Sequence, residues 1–387
     1  MRAYLDHAAT TPMPQGVKDA YVQALCTVGN PASQHAHGQE ARDALESARE
    51  SIAQRLRVTP SEVIFTSGGT ESINLALKGL FWARNRPVIL TADGEHHATL
   101  DTVSWLERVS GAQVEMMPLD EYGVLQPEVF EAAIAKHGAQ NIAVATVLWA
   151  NNEIGTIQPI EALSTVAESA GVPLHVDAVA ALGQVELAGL STRPAAMSLS
   201  AHKIGGPVSS GALILRRDWT PEALIHGGSQ QRVRSGTQDV AGAVAFAAAL
   251  ELAELSPERL QKFTHARDRI IEGIRQIDPT AVLRGPEPGE ARIVGNANFT
   301  FPGCQGDSLL FLLDVAGVSV STGSACTAGV TEVSHVMRAI GLEESVAAGA
   351  LRFTVSDTTT DEEVDALLDA LPEALKRARQ AGFTVPA

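Results

Sequence analysis

Short apolar runs that end in polar or glycine-rich turns recur along the chain. VIFTSGGTE (Val63–Glu71) is a β-type run, then two glycines, then a helical pattern with Ile73, Leu77 and Leu80 on one face. VILTADGEHH (Val88–His97) repeats the plan, and Leu100, Val103 and Leu106 stripe the helix that follows it. NIAVATVLWANNEIG, VPLHVDAVAALG, AMSLSAHKIGGP and GALILRR supply four further strands. Continuous apolar strands alternating with amphipathic helices predict an α/β fold with a mostly parallel sheet covered on both faces. Ligands in such sheets sit beyond the carboxyl ends of the strands. The polar residues found there (Thr66–Thr70, Glu95–His97, Asn151–Glu153, Asp177 and Ser200–Lys203) are therefore expected to form one site.

The pattern changes after Val240. An Ala-rich helix, Val240–Leu255, leads to a charged helix at Pro257–Gln276. A smaller α+β pattern follows: NANFTFPG, a helix at Asp307–Ala316, VSVSTGSACTAG, LRFTVS and a last helix. A boundary is expected within about 10 residues of Ser256. This divides the chain into a large α/β unit, 16–255, and a small α+β unit made of 1–15 and 256–387.

Composition narrows the function classes. Apolar residues are 45% of the 387, which fits neither a disordered nor a fibrous chain. Lys plus Arg number 29 against 45 Asp plus Glu, a net charge of −16. A general nucleic-acid coat or an anionic-membrane binder needs the opposite balance. The longest apolar run, Val240–Leu250, is eleven residues, whereas a bilayer-crossing helix needs about 20. MRAYLDHAATTP contains no apolar core of a secretory peptide. A soluble cytoplasmic protein is the expectation. Three widely spaced cysteines with no CxxC argue against a disulfide framework and against a cysteine-rich metal site.

Of the six lysines, Lys203 differs in context: it follows a strand within SLSAHKIGG. A lysine that loses solvent becomes a neutral amine able to form a Schiff base, although a salt-bridged strand-end lysine would read the same way. SGGT (Ser67–Thr70) joins a strand to a helix start, where free N–H groups bind phosphate or simply make a tight turn. Ser200 and His202 could add donors to that anion site. Asp177 ends a strand and could pair with a protonated pyridine nitrogen or cap a helix. His96 and His97 could stack on an aromatic ring or move a proton. Arg352, leading into a strand, could clamp a carboxylate or make a surface ion pair. Cys326 lies in STGSACTAG, a composition expected to give a mobile, accessible loop and hence a reactive thiol. Cys26 ends an amphipathic helix carrying Val17, Ala20, Tyr21 and Ala24, so core packing is expected for it, and a structural role for Cys304.

Ten strings in order resemble the cysteine desulfurases, pyridoxal-phosphate enzymes of the class V aminotransferase group. They are YLDHAATTP, GNPASQHAHG, FTSGGTES, GEHHATLDT, NNEIGTIQPI, HVDA, SLSAHKIGGP, RSGT, STGSACTAG and LRFTVS, and they span almost the whole chain. STGSACT is similar to the subgroup whose cysteine rides on a long loop. The resemblance implies a fold-type I architecture, with the cofactor in the large unit and Cys326 and Arg352 in the small one. It implies that Lys203 carries pyridoxal 5′-phosphate covalently, Asp177 pairs with its ring nitrogen, and His96 stacks on the ring and helps move protons. Gly69, Thr70, Ser200 and His202 would bind the phosphate, and Thr237 would reach the phosphate of a neighbouring subunit, implying a homodimer with shared sites. Asn152 and Arg352 would hold the substrate carboxylate, and Cys326 would be the sulfur-accepting nucleophile. No metal is implied.

The implied reaction is L-cysteine to L-alanine with sulfur kept as a Cys326 persulfide. That sulfur would pass to an acceptor protein, an iron–sulfur scaffold or a tRNA-thiolation enzyme, with no direct nucleic-acid or membrane binding. Alternatives on the same fold are a selenocysteine lyase and an ordinary transaminase or β-lyase. A non-catalytic sulfur carrier is the alternative of another class. Three departures from the family pattern stand out. Ala180 occupies a position usually held by Gln, which implies altered cofactor absorbance. GGSQQRVRSGT is one residue short before Thr237, and His7 replaces the more common Asn.

Overall fold

The computed structural model describes residues 2–228, 231–323 and 333–381. Its strands are β1 (Ala3–Tyr4), β2 (Val63–Thr66), β3 (Val88–Ala92), β4 (Gln113–Met117), β5 (Ile142–Leu148), β6 (Leu174–Asp177), β7 (Ala196–Ser200), β8 (Gly211–Leu215), β9 (Val282–Leu283), β10 (Asn296–Thr300), β11 (Val318–Ser319) and β12 (Ala350–Thr354). Its helices are α1 (Gln15–Leu25), α2 (Ala36–Leu56), α3 (Gly69–Arg84), α4 (His97–Ser110), α5 (Pro127–His137), α6 (Ile160–Ala170), α7 (Val240–Leu252), α8 (Pro257–Ile277), α9 (Gly306–Val315), α10 (His335–Ala339), α11 (Glu344–Ala347) and α12 (Asp361–Ala381).

The six strands predicted for the large unit all form, and β4 joins them as a partly exposed edge. The sheet order is β2-β8-β7-β6-β5-β3-β4. Pairs among β4, β3, β5, β6 and β7 are parallel, whereas β8 runs antiparallel to both of its neighbours. Helices cover both faces, as continuous apolar strands require. On one face Ile73, Leu77 and Leu80 of α3 pack with Val103 and Leu106 of α4 against Ile89 and Val144. On the other, α2, α5, α6 and α7 bury Leu45, Ile52, Phe130, Leu163 and Phe246. Helix α7, VAGAVAFAAALEL, is apolar all round, and its small side chains let α1 and α2 pack directly upon it.

A second core gathers Ala3 and Leu5 with residues between 263 and 378. Its sheet is β12-β10-β9, antiparallel, flanked by the parallel pair β1-β11 and by α8, α9 and α12. Ser256 caps α8 by accepting a hydrogen bond from the Arg259 N–H. Strand alternation is strict here. Ala297, Phe299, Leu351 and Phe353 enter the core, while Asn296, Asn298, Arg352 and Thr354 point back toward the large sheet. This period of two is what brings Arg352 to the large sheet. Phe353→Ala is expected to cost about 3–5 kcal/mol, because the ring is 1% exposed and the site has few ways to collapse. Urea unfolding monitored by circular dichroism would show a lower midpoint at unchanged slope.

One expectation fails. Cys26 is exposed, not packed in the core. Val17 of α1 is buried and Ala20, Tyr21 and Ala24 on the same face are half-buried, whereas Cys26, Val22 and Leu25 lie off that face and are exposed. Cys304 is 1% exposed, within the second core. Among the described residues, no single helix is long and apolar enough to cross a bilayer.

Candidate active site

The carboxyl ends of β5, β6 and β7, the start of α3 and the turn before α4 enclose a cavity of about 250 Å3. It is lined by Gly69, Thr70, His96, Asn152, Asp177, Ala180, Ser200, His202 and Lys203, among others. The residues of the large unit to which the resemblance gives a role thus converge, with one exception, whereas Glu95, His97, Asn151 and Glu153, expected in the same site, do not line this cavity. Thr237 is exposed and stands outside this cavity, although the neighbouring Arg234 pairs with Glu71 at 2.9 Å and so ties its segment to the first turn of α3. Cys326 lies outside the described residues. A wider groove of about 550 Å3, near Arg57, Glu186 and Glu254, contains none of the predicted residues.

The start of α3 is shaped for close approach. Gly68, its N-cap, has φ +137°, a conformation open to glycine. A Cβ on Gly69 would come within 2.6 Å of Val179 Cγ2, so only glycine lets this backbone lie so near the chain after β6. The first-turn N–H groups of a 16-residue helix carry the positive end of its dipole and lack intrahelical partners. Ser200 and His202 lie opposite them, across the same cavity.

Lys203 follows β7 on a single helical turn, Ala201–Ile204. Its Nζ donates to the carbonyls of Ala8 at 2.5 Å and Ala9 at 3.2 Å. Burial is the largest cause that lowers its pKa, to about 8, helped by the Arg352 cation and opposed by Asp177 and Asp6. The amine is therefore protonated below about pH 8 and neutral above it. Acetic-anhydride labelling of Lys203 in the cofactor-free protein, followed by peptide mass spectrometry, should show a midpoint near pH 8. Removing the Arg352 charge is expected to raise that midpoint, and removing the Asp177 charge to lower it.

Asp177 ends β6, 2% exposed, and accepts from the Val179 N–H at 3.0 Å. Burial raises its pKa to about 6. His96 caps α4, its Nδ1 accepting from the Ala98 N–H at 3.0 Å, which leaves Nε2 for the cavity. Loss of solvent, then Lys203, lowers its pKa to about 4, so the ring is neutral at pH 7. The same two causes lower His202 to about 4.

Arg352 is buried. Its Nη2 meets Asp6 Oδ1 at 2.7 Å, its Nη1 donates to the Asn152 carbonyl at 3.0 Å, and its Nε has no hydrogen-bond partner. Asn152 contributes that carbonyl as well as part of the cavity wall. Ala180 lines this cavity and a smaller one behind it that His7 also lines, and it has no side-chain donor to offer.

Sequence reasoning missed the contacts of the N-terminal segment and gave no role to Glu95 and Glu153, two acids it grouped at the strand ends. Asp6, Ala8 and Ala9 hold Arg352 and Lys203; the string YLDHAATTP marked the segment but not its contacts. Glu95 is 2% exposed, and burial raises its pKa to about 8. One of its oxygens accepts from the Leu148 N–H and the other has no hydrogen-bond partner. Glu153 is also 2% exposed, and burial raises its pKa. An acid inside an apolar strand-end turn was the available signal for both.

Comparison with known proteins agrees with this geometry. Residues 3–367 match the family model described as aminotransferase class-V. The chain is 47% identical over 387 residues, covering 98% of both chains, to an IscS-like cysteine desulfurase of Mycobacterium tuberculosis. It is 40% identical over 365 residues to a cysteine desulfurase of Dictyoglomus turgidum, covering 93% of this chain and 91% of that one. Among solved structures, a NifS-like protein superposes with a TM-score of 0.88 at 33% identity, covering 97% of this chain and all of the other. A structure described as SspA in complex with cysteine superposes with a TM-score of 0.79 at 30% identity, over 92% of this chain and 100% of that one. Fold, cavity and sequence together make this chain a member of the class-V aminotransferase family, in its cysteine desulfurase branch.

Proposed function

We propose that the protein is a pyridoxal 5′-phosphate-dependent cysteine desulfurase whose persulfide forms on Cys326. The observation that carries this reading is the Lys203 amine, hydrogen-bonded to the Ala8 and Ala9 carbonyls, in one cavity with a helix N-terminus, Asp177 and His96.

The residues present fit the cofactor. The N–H groups of Gly69 and Thr70, with Ser200 and His202, are a donor set for a phosphate, and Gly69 leaves the room a Cβ would fill. Asp177 is a buried acceptor for a ring N–H, and its carboxylate form is favoured once a cation pairs with it. Neutral His96, which lines the same cavity, would face the ring. Bound there, the cofactor supplies an electron-accepting ring that stabilises charge left on the substrate Cα.

The chain's own groups do the rest. Lys203, as a free amine, takes the proton from the substrate Cα. Arg352, through its unpartnered Nε and a nitrogen exchanged from Asp6, holds the substrate carboxylate with help from Asn152. His96 Nε2 relays a proton to or from the substrate thiol. The Cys326 thiolate attacks the substrate sulfur: the substrate Cβ–S bond breaks with its electron pair left on Cβ, an S–S bond forms on Cys326, and L-alanine leaves once Cβ has taken the thiol proton and Cα has taken back its own. The sulfur then passes to an acceptor protein of iron–sulfur assembly or tRNA thiolation. Thr237, exposed and outside the cavity of its own chain, supports a homodimer in which it serves the neighbouring site.

Mass spectrometry of the holoenzyme after brief incubation with L-cysteine and no reductant tests this. One added sulfur on the Cys326 peptide, with equimolar alanine, is the expected result. Alanine without modified Cys326 would instead indicate a β-lyase that expels sulfur directly. Turnover confined to selenocysteine would indicate the lyase for that substrate.

A further inference from the structure

We infer that Glu153 is a positioning residue that fixes both points where the chain enters and leaves the segment holding Cys326. The inference rests on the desulfurase reading for the role of Cys326.

Glu153 lies in the turn after β5, beside Asn152 of the cavity wall. Its backbone is fixed on both sides. The N–H donates to Asn151 Oδ1 at 2.9 Å, and the carbonyl accepts from Asn296 Nδ2 at 2.9 Å and Asn298 Nδ2 at 3.1 Å. Its carboxyl group then reaches two residues that are eleven apart in sequence. Ser334 Oγ donates to Oε2 at 2.5 Å and itself caps α10 by accepting from the Met337 N–H. Gly323 packs on the same carboxyl: a Cβ there would fall 2.9 Å from Oε2 and 3.0 Å from Cδ. Gly323 also has φ +84°, so a side chain is disfavoured by backbone and neighbour alike.

One buried carboxylate therefore sets the position of both stems. Cys326 follows Gly323 by three residues, a separation no chain conformation stretches beyond about 11 Å. The position of Gly323 therefore bounds where the thiol can lie. Sulfur transfer requires the thiol and the substrate sulfur to meet in a narrow range of geometries, where small displacements cost large factors in rate. The residue acts through the stems and need not touch the reacting atoms.

The test uses the holoenzyme with Glu153→Ala, Glu153→Gln and Ser334→Ala. In single turnovers with L-cysteine, E153A is expected to slow Cys326 persulfide formation about ten- to a hundred-fold. Cofactor absorbance and the KM for cysteine should stay within about twofold. Iodoacetamide labelling of the Cys326 peptide should rise at least about threefold, with exposed Cys26 as the internal reference. E153Q still accepts the Ser334 hydroxyl and should restore most of the rate. S334A should fall between and keeps the test available if E153A does not fold. Wild-type persulfide formation and labelling in E153A or S334A would overturn the inference. So would a parallel loss of cofactor absorbance, which would mark a general structural role. If the unsubstituted enzyme forms no persulfide, the desulfurase reading fails, and the labelling ratio alone decides whether Glu153 fixes the stems.

Discussion

Lys203→Ala is expected to lower alanine release from L-cysteine by at least about a thousand-fold and to abolish covalent retention of the cofactor. The physical basis is the amine's surroundings. Its hydrogen bonds go to the neutral carbonyls of Ala8 and Ala9, not to a carboxylate, and burial brings its pKa to about 8. About a tenth of the amine is then neutral at pH 7, against a few parts in ten thousand for an ordinary lysine. Lys203→Arg should fail as completely, because a guanidinium does not lose its proton in this range. Added methylamine, small enough for the cavity, should return part of the rate to Lys203→Ala and none to Lys203→Arg. Activity within tenfold of wild type in Lys203→Ala would remove Lys203 from the mechanism.

The second large effect is expected at Arg352. Truncation to alanine should lower kcat/KM for cysteine about 100-fold, mostly through KM, since the guanidinium binds a carboxylate present in ground and transition state alike. Stability should fall as well. Asp6 loses its partner at 2.7 Å, and breaking one side of a buried pair costs roughly 3 kcal/mol or more. Arg352→Lys separates the two effects. It keeps a charge for Asp6 and should recover much of the stability. It loses the fork shared between Asp6 and the Asn152 carbonyl and should recover little of the affinity. An unchanged KM in both variants would show that the substrate carboxylate is held elsewhere.

These two residues also show what the sequence could disclose. Lys203 stood out locally, because its neighbours are apolar or glycine and its strand is unmistakable. The six strands were legible for the same reason: buried on both faces, they are continuous apolar runs. The direction of β8 was not legible, because GALIL reads alike either way. Only the short link from Ser200 to Gly211, too brief for a crossover, makes it antiparallel. β4 escaped because QVEMM is an edge strand with one polar side. The exposure of Cys26 was misread because, nine residues after Val17, it stands on the opposite side of the helix from the stripe that Ala20, Tyr21 and Ala24 share with Val17. Asp6 was silent, and Glu153 was grouped at its strand end without a role, because their partners lie 346 and 181 residues away, and spacing carries no information at such range.

The segment from Ala3 to Thr11 touches almost every part of the site. Ala3 and Tyr4 pair with Val318 and Ser319, Asp6 holds Arg352, Ala8 and Ala9 hold Lys203, and the Thr11 N–H donates to the His202 carbonyl. During synthesis those partners leave the ribosome long after it does. At roughly 5–20 residues per second, the interval between Asp6 and Arg352 is on the order of 20–70 s. A nascent chain can thus complete its large sheet before the arginine that pairs with Asp6 has been made. The contact between Asp6 and Arg352 is among the last the site acquires, when a stretch made early meets the strand made last.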